Sequence, residues 1–83
     1  MILKDALPSP SDLGYNEITH LSDGTLIGQS KLSHLVLSHN LITEIGENSF
    51  LGLVNLEILD LSNNRIKHIH SEAFATLTKL RDL

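Results

Sequence analysis

Two stretches of this chain, LSHLVLSHNLITEIGENSFLGLVN from Leu32 and LEILDLSNNRIKHIHSEAFATLTK from Leu56, repeat one another at an interval of 24 residues. Laid over each other, Leu32 meets Leu56, Leu35 meets Leu59 and Leu37 meets Leu61. Asn40 then meets Asn64, Ile42 meets Ile66, Ile45 meets Ile69, Phe50 meets Phe74 and Leu53 meets Leu77. Within one copy the apolar residues keep neither a helical nor a strand period for more than a few positions, so no single amphipathic element explains their spacing. Repetition does explain it. Each copy is one turn of a coil, part strand and part loop, whose apolar columns are covered by stacking on neighbouring copies. A further copy begins with Leu80 and Leu83. A worn one lies upstream, where DLGYNEI from Asp12 aligns with DLSNNRI from Asp60, so that Leu13, Asn16, Ile18, Leu21 and Leu26 fill the same columns.

The strand of each copy falls on HLVLS or ILDLS. Leu35, Leu37, Leu59 and Leu61 point inward and the residues between them face solvent. This spacing predicts parallel, adjacent strands centred near residues 34–37 and 58–61, with a weaker one near 12–14. Asn16, Asn40 and Asn64 sit where the chain must turn. An amide side chain carries donors and an acceptor together, so stacked asparagines form a ladder that satisfies backbone groups of the turning loop. Losing one would strand buried amides at about 1–3 kcal/mol. Phe50 and Phe74, with Leu26 in the worn copy, are expected to fill the half of the core opposite the strands.

The run L-x-x-L-x-L-x-x-N-x-I-x-x-I with a later F-x-x-L resembles the leucine-rich repeat in its 24-residue variety. The resemblance is complete over the two full copies, looser from Asp12 to Lys31, and does not reach Met1 to Leu7. It implies an α/β-type repeat solenoid, a right-handed coil with short parallel strands on the concave face and loop or short helical segments on the convex face. The corresponding division is a tail at 1–7, a degenerate repeat at 8–31, repeats at 32–55 and 56–79, and the start of another at 80–83. Phe-bearing repeats of this kind are similar to those of extracellular receptors, matrix proteins and adhesion proteins, whose arrays usually end in disulfide-bonded caps. The chain has no cysteine. It is therefore expected to be an excerpt of a longer array whose parent is secreted or on the cell surface. The alternative is an intracellular scaffold, which the lack of any N-x-S/T sequon favours slightly. Lys4 and Asp5 interrupt the stretch where a signal peptide would be apolar.

Net charge −4 and only four scattered basic residues between Arg65 and Arg81 leave no stripe for nucleic acid. The apolar runs are too short to span a membrane. Function is expected on the outward-facing strand residues, which parallel register arranges in rows. One row reads Pro10, His34, Ile58, Asp82; the next reads Asp12, Val36, Asp60; a third reads Gly14, Ser38, Ser62. Tyr15, His39 and Asn63 edge them at the turn. A protein partner is expected to contact His34, Val36, Ile58, Asp60, Tyr15, His39 and Asn63, since outward Val and Ile on a face free to be polar suggest a contact surface. Two plainer readings compete: β-branched residues suit strands in any case, and LDLS can be a strand-and-turn device. Repeats that merely space binding sites elsewhere are the structural alternative. His68 and His70, flanking an inward Ile69, lack the three or four converging ligands that zinc needs, so they read as exposed loop histidines and no metal or other cofactor is expected. Ser38 or Ser62 with His34 or His39 and Asp60 has no water-excluding pocket or oxyanion hole, so no enzyme is expected. Leu80 and Leu83 open a strand with a bare edge, so the isolated chain is expected to be only marginally folded or to self-associate through this end.

Overall fold

The computed structural model describes residues 11–83. The expected tail at 1–7, the opening of the degenerate repeat and the place of Pro10 in its row lie outside the described residues. Among the described residues five short strands follow in order: β1 (Ser11–Asp12), β2 (His34–Val36), β3 (Glu44–Ile45), β4 (Ile58–Asp60) and β5 (His68–Ile69). They form two parallel sheets.

The first sheet runs β1-β2-β4 and carries the predicted rows. Asp12 pairs with Val36 and Val36 with Asp60, while His34 pairs with Ile58. A parallel bridge from Ile58 to Asp82 continues the second of these rows. Parallel strands cannot be joined by a tight turn, and the 24-residue spacing supplies the long return path that brings each strand beside the last. β1 ends earlier than the stretch 12–14 expected for it. Its pairing nevertheless continues through Leu13 N to Val36 O at 2.8 Å and Tyr15 N to Ser38 O at 3.0 Å. One repeat on, Leu37 N donates to Asp60 O at 2.8 Å and His39 N to Ser62 O at 3.0 Å, the same pattern.

The apolar spacing of the repeat does not predict the second sheet. Glu44 pairs with His68 and Ile45 with Ile69, and a bridge joins His20 to Glu44. The I-x-x-I segments are too short to alternate like strands, but stacking the same backbone shape at a fixed interval aligns their amides and carbonyls across copies. His68 is thereby a strand residue and not a loop histidine, although it remains exposed. The convex segments are successive turns closed by bonds between residues three apart, such as Thr25 N to Ser22 O and Leu53 N to Phe50 O; no helix occurs among the described residues.

Leu26, Leu32, Leu35, Leu37, Ile42, Phe50, Leu53, Leu56 and Leu59 make up the most deeply buried part of the core. Most of them belong to the repeat at 32–55, which has a layer of the chain on either side. Phe50 and Phe74 stack with ring centroids 5.7 Å apart. One inward column departs from expectation. Ile45 is 2% exposed, but Ile69 in the same column is 51% exposed, so Ile69 is not the buried residue its position suggested. Burial here comes from the next layer, and none of these residues lies over Ile69.

The asparagines join successive turns. Asn40 Nδ2 donates to Leu37 O and Leu13 O, each at 3.0 Å, and to Ser38 O at 3.3 Å, while its Oδ1 accepts from Ile18 N at 3.1 Å. Asn64 repeats this with Leu61 O, Leu37 O and Ser62 O as acceptors and Ile42 N as donor. Asn16 is exposed and, among the described residues, bonds Leu13 O and Gly14 O within its own turn.

Candidate functional site

The concave sheet turns outward two rows whose members come from three or more separate places in the chain. Val36 lies in register between Asp12 and Asp60, and Ile58 between His34 and Asp82. Val36, Ile58 and His34 are half-buried rather than fully exposed, because neighbouring strands in a parallel sheet stand only about 4.8 Å apart and shade each other's side chains. His34, Ile58, Asp60 and Asp82 line an open recess of about 410 Å³ whose floor is completed by Leu59 and Leu83.

Two of the acidic residues serve the turn as well as the face. Asp60 Oδ1 accepts from Ser62 Oγ at 2.7 Å and from Ser62 N at 3.0 Å. Asp12 Oδ1 accepts from Gly14 N at 2.9 Å, the same arrangement without a hydroxyl. A Cβ on Gly14 would lie 3.0 Å from Asp12 Oδ1 and 3.1 Å from Ser38 O, so a serine there would need its neighbours to give slightly. The Ser62 hydroxyl, and after it the Ser62 amide, hold the Asp60 carboxyl below the usual carboxylate range; His39 and His34 add to this and desolvation opposes it. Hydrogen bonds to the ionised form are the cause. Ser62 therefore donates straight to the carboxylate, with no imidazole between them.

Beside these rows runs the turn edge. Tyr15 and His39 stack with ring centroids 4.2 Å apart and 8° between planes, and His39 Nε2 lies 3.3 Å from Asn63 Nδ2. All three residues have positive φ, at 55°, 56° and 56°. The apolar spacing of the repeat does not predict that conformation. Its visible signals are Asn63 and His39, since Asn and His are enriched in the left-handed region.

Residues 30–83 match the family described as leucine rich repeat. The chain belongs to the leucine-rich repeat family. Its solenoid fold is shared with solved structures, one of which is a chain in the structure of the Toll–Spatzle complex, a molecular hub in Drosophila development and innate immunity, in its glycosylated form. The leucine-rich repeat chain described here is 40% identical to it with a TM-score of 0.80, and the match covers 84% of this chain but 9% of that one. No curated protein matches this sequence. The parallel strands, the inward leucine columns and the outward rows are thus those of a leucine-rich repeat array. The expected contact residues divide in two: His34, Val36, Ile58 and Asp60 lie on the sheet, while Tyr15, His39 and Asn63 form the adjoining edge. Asp12 and Asp82, absent from the expected contact set, lie in the same rows. Their signal was the interval of the repeat itself, which places them in register with Val36 and Ile58.

Proposed function

We propose that this leucine-rich repeat segment is a protein-binding module that engages its partner through the concave sheet, within a larger secreted or cell-surface protein. The observation carrying this reading is the pair Val36 and Ile58. They are apolar, face outward, and are bordered by Asp12, Asp60, Asp82 and His34 in rows assembled from separate repeats. A small apolar centre with a polar rim is the anatomy of a protein contact. A similar solved array comes from a complex named for two proteins, Toll and Spatzle, and from a glycosylated form of it. Both features support the proposed role and compartment. Catalysis by Ser62 is disfavoured on chemical grounds, because its hydroxyl donates to Asp60, whose carboxyl is held below the usual range and is thus too weak a base to activate it.

Self-association is a second contact we propose. It is supported by an apolar recess of about 330 Å³ lined by Leu61, Ile66, Ile69, Phe74 and Leu83 beside Asp60 and Ser62. Such a layer is shaped to receive another apolar layer.

A photo-reactive residue at position 36 tests the main reading. It should capture a protein that the same group at position 75, on the convex side, does not, and Ile58→Ala should reduce that capture. Equal capture from both positions would reject the concave face as the binding surface.

A further inference from the structure

Backbone amides at the start of each convex segment need acceptors, and the two full repeats supply them differently. In the repeat at 32–55, Gly46 N donates to Ser49 Oγ at 2.9 Å, and that hydroxyl donates in turn to Leu21 O at 2.9 Å. One interval on, His70 stands in the place of Gly46 and Ala73 in the place of Ser49, so the hydroxyl is gone. His70 N donates to Ile45 O at 2.8 Å instead, and Ala73 N closes onto His70 O at 3.0 Å. The imidazole takes up the remaining amide: Glu72 N donates to His70 Nδ1 at 3.0 Å.

A backbone N–H can only donate, so Nδ1 is the unprotonated nitrogen and the neutral ring carries its proton on Nε2. The Ser49 hydroxyl keeps both its bonds at any ordinary pH. The imidazole does not. In the protonated ring both nitrogens are donors, and a proton on Nδ1 sets two N–H groups against each other. The Glu72 donor belongs to the main chain and cannot flip, so either the ring swings out or the turn opens. That turn carries Phe74, which stacks on Phe50 at 5.7 Å and lines the apolar recess with Leu61, Ile66 and Ile69.

The titratable groups around the ring are His68 and Glu72 on its own segment and Glu44 and Glu47 in the preceding repeat. Glu44 is bridged in turn to His20. Carboxylates stay ionised across the histidine range, so the charge changes here between about pH 8 and 5 belong to the histidines.

We infer that His70 is a proton-operated latch on the convex turn that carries Phe74. The neutral ring holds the turn closed through the Glu72 amide, and protonation releases it. The Phe74 wall of the apolar recess is firm at neutral pH and looser in mild acid. The latch is independent of the concave-face reading and of the self-contact, since every group in it belongs to one chain.

Amide exchange and imidazole nitrogen shifts of the 83-residue chain, read residue by residue from about pH 7.5 to 5, test the latch. At the upper end His70 should carry its proton on Nε2. Protection of the Glu72 amide, corrected for intrinsic exchange, should fall roughly three- to tenfold as His70 titrates. Protection of the Leu37 amide, bonded to Asp60 O in the concave sheet, should stay constant. His70→Asn should keep Glu72 protected throughout, because Asn accepts from the amide two residues on and does not titrate. His70→Ala should leave Glu72 unprotected at every pH, and His68→Gln should retain the wild-type fall. A proton on Nδ1 at pH about 7.5, unchanged Glu72 protection, or a fall that persists in His70→Asn would overturn the latch. Equal loss at Leu37 would overturn it too, because the change would then be global unfolding.

Discussion

Asn40 and Asn16 occupy the same column, yet their surroundings differ. Asn40 is buried and makes four hydrogen bonds, two of them to the preceding turn, whereas Asn16 is exposed and, among the described residues, bonds its own turn. Removing a buried amide strands its partners at about 1–3 kcal/mol, while water replaces the bonds of an exposed one. Asn40→Ala should therefore lower the urea midpoint well below that of Asn16→Ala, and His68→Ala should be close to neutral. A His68→Ala loss equal to that of Asn40→Ala would point to a role for that imidazole beyond its exposed place in β5. Asp60 supplies a pH test at the same scale. Its carboxyl is depressed by Ser62, so the folded state binds its proton less readily than the unfolded state. The resulting stability is present above the ordinary value of 3.8 and is lost as pH falls through the depressed value. Because the group is solvent-screened the effect is small. Comparing wild type with Ser62→Ala between neutral pH and the region below 3.8 should show the difference shrinking as acid is added.

At the scale of elements, the convex turns set how closely repeats can approach. Gly52 has φ of 100°, and a Cβ there would lie 2.9 Å from Ile27 Cα, a backbone atom of the preceding repeat. Gly24, with φ of 80°, has nothing within 4 Å of its missing Cβ. Alanine at either site incurs the left-handed cost of about 1 kcal/mol, but at Gly52 it also forces two turns apart, adding about 1–3 kcal/mol. Thermal melts should rank Gly52→Ala clearly below Gly24→Ala, and near-equal melting temperatures would mean that the convex turns yield freely. The phenylalanines offer a parallel comparison. Phe50 is fully buried and Phe74 only half. Phe50→Ala should cost about 3–5 kcal/mol and Phe74→Ala distinctly less, read as free energies from denaturant unfolding.

For the whole molecule, each layer of the core is completed by its neighbour. Leu61, Ile66, Ile69, Phe74 and Leu83 form an apolar layer that these residues leave open, with Ile69 at 51% and Leu83 at 64% exposure. Covering one such side chain is worth roughly 1.5–3 kcal/mol, and several would be covered together. Sedimentation velocity on the 83-residue chain should show mass rising with concentration, and Ile69→Lys should suppress the rise. A monomer at every concentration would show that this layer is not a self-contact. Appending a further repeat after Leu83 should raise the melting temperature by the same mechanism.

Much of this architecture was legible in the order of residues because a repeat converts sequence interval into spatial register. An offset of 24 residues places Asp12, Val36 and Asp60 side by side, and inward leucines alternate with outward residues wherever a strand has one buried face. The sheet, its parallel sense and its outward rows follow from that alone. What tertiary structure decided concerns groups whose state depends on the layer above or beside them. Ile45 and Ile69 are the same residue in the same column, yet one is sealed and the other is half in water, because burial belongs to the stack and not to the position. The β3–β5 pairing arose from backbone amides brought into line by copies too short to carry a strand pattern. The left-handed Tyr15 and His39 are a third case. The shared fold of the turn imposes that conformation on whatever residue stands there, and only the assembled coil brings the two rings within 4.2 Å of each other.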